Sequence, residues 1–122
     1  MYRLKVIGRF AAAHSLRNFK GRCEALHGHN WKVEVVVEGE KLDQADLLMD
    51  FGELKKLMNA ALDRLDHHHL NEVPPFDRVN PSSEQIAKHL FETIGQDLPG
   101  HVSMHSVSAW ESDDSRATYL GG

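Results

Sequence analysis

The chain is short of several features, and each shortage excludes something. It has one cysteine, Cys23, so no internal disulfide can form and the thiol is left to packing, metal binding or reactivity. No apolar run approaches the ~20 residues of a membrane span. The opening residues, MYRLKVIGRF, lack the apolar stretch of an export signal, so a cytoplasmic protein without membrane partners is expected. Basic residues do not dominate. Against 14 Lys and Arg stand 18 Asp and Glu, and a net charge of −4 argues against a nucleic-acid partner. There is no glycine-rich phosphate loop and no Gly-x-Ser-x-Gly elbow. Repeats, linkers and low-complexity tracts are also missing, so the 122 residues are expected to form a single domain, 1–122, large enough for a proper core.

What is abundant is histidine. Nine occur, at 14, 27, 29, 67, 68, 69, 89, 101 and 105, and the run His67-His68-His69 is internal. Around them the apolar pattern changes period. YRLKVIGRFAAA (2–13) and HNWKVEVVVE (29–38) alternate as strands, the second with Trp31, Val33, Val35 and Val37 on one face. From Phe51 to Leu65 the apolar residues Leu54, Leu57, Met58, Ala61, Leu62 and Leu65 follow a helical stripe, with Asp50 placed to cap it. NEVPPFDRVNP holds three of the four prolines and reads as a loop. Ser82 and Gln85 have capping-box spacing at the start of a second helix along Ile86, Leu90 and Ile94, ended by Pro99-Gly100. HVSMHSVSAWE (101–111) and then ATYL read as two more strands. The order ββααββ predicts an α+β fold, a four-stranded antiparallel sheet with two helices on one face.

Chemistry concentrates in a few places. His27 and His29, two apart on a strand, project from one face, and His14 joins them if the first two strands pair antiparallel. Three imidazoles leave the fourth tetrahedral position of zinc open, the pattern of catalytic sites. Cys23, in the stretch CEALHGHN, has three readings: a fourth ligand, a reactive thiolate activated by a nearby cation, or an inert side chain. Asp66 and His67 can form a carboxylate–imidazole couple, although histidines at a helix C-terminus are also favoured by its dipole, a reading that weighs most on His68 and His69. Glu111, at the end of a strand, can read a guanidine-like edge by paired hydrogen bonds or can simply be a solvated strand end.

Taken in order, FAAAH (10–14), CEALHGHN (23–30), MDFGELK (49–55), LDHHHLN (65–71), NPSSEQIA (80–87) and the strand ending in WES (110–112) resemble the 6-pyruvoyl-tetrahydropterin synthase family over nearly the whole chain. The resemblance implies zinc ligands at His14, His27 and His29, a catalytic cysteine at Cys23, and an Asp66–His67 acid–base couple. It further implies a pterin-anchoring carboxylate at Glu111 and, less directly, pterin contacts at Ser82 and Ser83. It implies a barrel-forming trimer paired into a homohexamer, with active sites between subunits and a small pterin as substrate. The spacing Cys-x-x-x-His-Gly-His is most similar to the bacterial 6-carboxy-tetrahydropterin synthase branch. That branch converts 7,8-dihydroneopterin triphosphate to 6-carboxy-5,6,7,8-tetrahydropterin in queuosine synthesis. Glu24, three residues before His27, resembles instead a folate-linked branch that releases 6-hydroxymethyl-dihydropterin, so the product stays open. A non-catalytic zinc- or pterin-binding protein is the remaining alternative. Lys20 and Arg22 are the nearest basic residues for a triphosphate, or are merely solvated.

Overall fold

The computed structural model describes residues 1–122. Two long strands, β1 (Tyr2–His14) and β2 (His27–Gly39), are followed by helix α1 (Phe51–Asp63) and a two-residue strand, β3 (His68–His69). Helix α2 (Ser83–Gly95) and strands β4 (Ser103–Ser112) and β5 (Ser115–Tyr119) complete the chain. No helix is long and apolar enough to cross a membrane.

The alternation seen in the sequence is the alternation of burial. Val6, Phe10, Ala12 and His14 of β1 and Trp31, Val33, Val35 and Val37 of β2 are buried on one face of the sheet. Val107 and Ala109 of β4 extend that face, and α1 and α2 cover it with Leu54, Met58, Leu62, Ile86, Leu90 and Ile94. The apolar residues among them form one continuous core. α2 starts as the sequence implies, with the Ser82 hydroxyl accepting a hydrogen bond from the Gln85 N–H at 3.2 Å. Asp50 does occupy the N-cap position of α1, but its side chain makes no capping bond there.

The α+β class and the two helices stand, whereas the expected sheet needs correcting. It has five strands in the order β3-β1-β2-β4-β5, and it is mixed rather than antiparallel, because β3 runs parallel to β1 through the pairs Ala12–His68 and Ala13–His69. A two-residue strand is too short to show a period of two, and its three-histidine surroundings show no apolar face. A second correction concerns those histidines. α1 ends at Asp63, so His68 and His69 lie beyond its last turn and are placed by the sheet. The helix dipole, which fades within a turn, does not account for them.

Candidate active site

The antiparallel register of β1 and β2 sets His14 directly opposite His27 and Ala12 opposite His29. All three imidazoles therefore leave the sheet on its core face, beyond the last fully apolar pair, Phe10 and Trp31, whose rings stack at 5.8 Å. The indole of Trp31 meets His14 and His29 edge-on at 5.1 and 5.4 Å, so the cluster stands on an apolar floor. A fourth group arrives from β4, where Glu111 is placed at a bulge: the β4–β5 register slips between Trp110 and Ser112. Its Oε1 lies 3.1 Å from His14 Nε2 and 3.2 Å from His29 Nε2. One ligand atom from each of the four residues falls within 4.8 Å of the other three.

Hydrogen bonds on the far side of two rings decide what they present to the centre. His14 Nδ1 is 2.7 Å from the Pro81 carbonyl, and His27 Nδ1 is 2.8 Å from the Ala25 carbonyl. A carbonyl only accepts, so Nδ1 of each ring carries the proton and Nε2 is left with a lone pair. This carbonyl–imidazole arrangement is what orients histidine toward a metal. His14 is 2% exposed, and its Nε2 and that of His29 have no hydrogen-bond partner. Burial lowers the pKa of His29; Glu111 opposes that effect, while His14 and His27 add to it. A neutral imidazole is the form that ligates. The donor set, its convergence and its two orphaned nitrogens all fit a metal ion.

The other expected residues are placed less uniformly. Asp66 Oδ1 accepts the Ala11 N–H at 2.8 Å, and the His67 N–H donates to the Ala11 carbonyl at 2.6 Å, so one β1 residue pins both. Asp66 Oδ2 lies 3.0 Å from His67 Nδ1, and the couple therefore forms. His67 holds φ at 59°, a left-handed conformation that costs about 1–3 kcal/mol in general and needs such anchoring. The imidazole of His67 is 82% exposed and borders a shallow hollow that also touches His29, between the ends of β1 and β2. Cys23 is not in that hollow. It is exposed and lines another one with Phe19, Lys20, Arg22, Glu24 and Ala25. Glu24 is the better-held of the two loop candidates, its Oε1 accepting from the Leu16 N–H at 3.1 Å and lying 3.8 Å from His27 Nδ1. Ser82 spends its acceptor on the α2 cap, next to the Pro81 that holds His14, and Ser83 opens the helix. Glu111 lies at the histidine end of the site.

Some supporting groups had no signal in the sequence. Pro81 and Ala25 act through their carbonyls, which no side-chain pattern records. Asn71 and Asn80 tie down the segment after β1 by reciprocal bonds with the backbone of Ser15 and Arg17.

The family model of 6-pyruvoyl tetrahydropterin synthase matches residues 3–122. The chain belongs to that family. Among curated relatives, the dihydroneopterin monophosphate aldolase of Pyrococcus furiosus is 39% identical over 105 residues, 86% of this chain and 85% of its own. The 6-carboxy-5,6,7,8-tetrahydropterin synthase of Synechocystis sp. is 34% identical over 116 residues, covering 91% of this chain and 87% of its own. The solved 6-pyruvoyl tetrahydropterin synthase of Caenorhabditis elegans superposes with a TM-score of 0.82 at 26% identity, over 99% of this chain and 96% of that one. The tetrahydropterin synthase fold is thus matched along its full length.

Proposed function

We propose that this enzyme is a zinc-dependent lyase that converts 7,8-dihydroneopterin triphosphate and one molecule of water to 6-carboxy-5,6,7,8-tetrahydropterin, triphosphate and acetaldehyde. The observation that carries the reading is the trio of convergent imidazoles, two with orphaned Nε2 atoms, beside a loop that presents the only thiol of the chain. His14, His27 and His29 would hold the metal, and three imidazoles suit zinc. When bound, zinc supplies Lewis-acid polarisation of the hydroxyls on the pterin side chain.

The remaining work belongs to the protein. Cys23 takes a proton from the side chain as thiolate and returns it to another position. Asp66 fixes the tautomer of His67 through Nδ1, leaving Nε2 to exchange a proton with the substrate. Ser82 and Ser83, beside the Pro81 that steadies His14, would offer hydroxyls to the ring. Cys23 and His67 line different hollows of one chain, and this favours a homohexamer, a dimer of trimers, in which neighbouring subunits bring them together. A lone exposed thiol is also in keeping with a reducing cytoplasm.

A second reading has its own support. Glu24, anchored beside His27 where Cys23 is not, is a candidate base for removing a hydroxyl proton from the side chain. The electron pair left on oxygen would then form a carbonyl and break the adjacent carbon–carbon bond, and the proton would return to the ring-side carbon, giving 6-hydroxymethyl-dihydropterin and a two-carbon aldehyde that keeps the triphosphate. The aldolase name of the Pyrococcus furiosus relative points the same way.

Mass spectrometry of products from zinc-loaded protein and 7,8-dihydroneopterin triphosphate separates the readings. We expect 6-carboxy-tetrahydropterin with acetaldehyde, and expect Cys23→Ala to lower its rate about 100-fold or more, the usual scale for losing a proton-transfer group. Wild-type rates in Cys23→Ala would sink the first reading. A 6-hydroxymethyl product lost in Glu24→Gln but kept in Cys23→Ala would establish the second.

A further inference from the structure

We infer that Glu111 is a fourth protein ligand, closing the metal site in the substrate-free enzyme. The inference rests on the three-histidine site and is independent of which product the enzyme makes. Distance comes first. With metal bonds of about 2.0–2.1 Å to nitrogen and oxygen, the corners of a tetrahedron lie roughly 3.3 Å apart. Glu111 Oε1 is 3.1 and 3.2 Å from the two orphaned nitrogens, so carboxylate and imidazoles already stand at the spacing of ligands on a common ion.

Orientation excludes the simpler explanation. Were these contacts hydrogen bonds, a ring N–H would have to point at the carboxylate. Neither Nε2 is so aligned, and both count as unpartnered despite the oxygen beside them. In His14 the proton sits on Nδ1, against the Pro81 carbonyl, so a lone pair at Nε2 faces a carboxylate oxygen at 3.1 Å. Two acceptors at that distance repel unless a cation lies between them. The backbone adds independent support. Glu111 is the residue at which the β4–β5 register slips, and a bulge is a common means of re-aiming a side chain at a functional site.

A site closed by four protein ligands has no open position, so a substrate oxygen must take the place of one of them. Glu111 is the ligand suited to leave. Its side chain is 37% exposed, whereas that of His14 is 2% exposed and fixed by Pro81. Once displaced, the carboxylate is free to accept hydrogen bonds from the ring of the bound pterin. Ligation and ring contact then become successive states of one side chain.

The test measures metal binding, with no turnover. Cobalt(II), which prefers the same donors and absorbs visible light according to its coordination, is titrated into metal-free wild-type protein, Glu111→Gln and Glu111→Ala. Circular dichroism of the metal-free variants checks their folding. We expect intense four-coordinate bands in the wild type, altered bands in both variants, and at least about a tenfold loss of zinc affinity in chelator competition. Unchanged bands and affinity would overturn the assignment. Weaker binding with unchanged bands would overturn it too, reducing Glu111 to a nearby charge. A wild type that binds no cobalt or zinc would overturn the metal site itself, and with it both catalytic readings.

Discussion

At the scale of single residues, the Asp66–His67 couple shows how a local contact governs chemistry. The Ala11 N–H holds the Asp66 carboxyl below the usual carboxylate range; slight desolvation opposes this and His67 adds to it. A carboxylate whose folded pKa is depressed contributes fully above its unfolded value, about 3.9, and loses that contribution only as pH falls through the lower folded one. Asp66 therefore stays ionised wherever the enzyme works, and its charge is always available to steady the His67 imidazolium. Asp66→Asn keeps a carbonyl for the Ala11 N–H but removes the charge. We expect it to lower turnover about 100-fold or more with little change in melting temperature. Asp66→Ala, which leaves that N–H without its partner, should lose stability as well. Equal melting temperatures for the two variants would show that the Ala11 bond carries no weight. The legibility of these residues differed for a physical reason. His14, His27 and His29 were readable because strand periodicity and antiparallel pairing bring them together. The ligand-like approach of Glu111 was not, since it depends on a register slip, which leaves no mark in residue types.

At the scale of elements, close packing between the sheet and its surroundings gives a sharper test than core burial alone. A Cβ added at Gly8 of β1 would meet Leu62 Cδ1 at 2.7 Å and Met58 Cε at 2.8 Å, both free ends of flexible side chains on α1. A Cβ at Gly39, where β2 ends, would meet Leu48 Cδ1 at 2.6 Å and the His101 carbonyl oxygen at 2.7 Å. Side-chain ends can swing aside, but a backbone carbonyl moves only with its segment, here the turn that leads into β4. Gly8→Ala should cost about 1–3 kcal/mol, the ordinary range for overpacking, and Gly39→Ala should cost more. Urea unfolding of the metal-free protein ranks the two, and the reverse order would mean that the segment at His101 is more yielding than the α1–sheet contact. The long elements were visible in the sequence because each buries a complete face. β1, β2 and both helices fall within a few residues of their expected bounds. β3 escaped because it is fixed by two backbone pairs and by the Ala11 contacts of Asp66 and His67, all of them long-range.

For the whole molecule, the sheet is open on both sides. β3 covers only Ala12 and Ala13 of β1, leaving the rest of that strand's outer edge without a neighbour, and β5 has none beyond it. Exposed strand edges recruit other strands unless they are protected. The sheet face turned away from the helices is already knitted together. Glu34, 8% exposed, accepts the Trp110 indole N–H at 2.8 Å and pairs with Lys5 at 3.3 Å, while Lys32 and Arg116 lie over the Trp110 ring. Burial alone would raise the Glu34 pKa, but Trp110, Lys5 and Lys32 together lower it, so the charge persists. Such a face tolerates enclosure better than a bare charged one. We expect native mass spectrometry to find multiples of three chains, with six predominant. A monomer at micromolar concentration would remove the proposed intersubunit site.

The spread of the histidine cluster along the chain bears on the order in which it can be completed. On a ribosome the first three imidazoles emerge early, within the first 29 residues, yet the carbonyl that orients His14 belongs to residue 81 and the carboxylate beside it to residue 111. A half-synthesised polypeptide holds the histidines without the partners that aim them. For the metal site proposed above, full-strength capture of an ion would then be reserved for the finished chain.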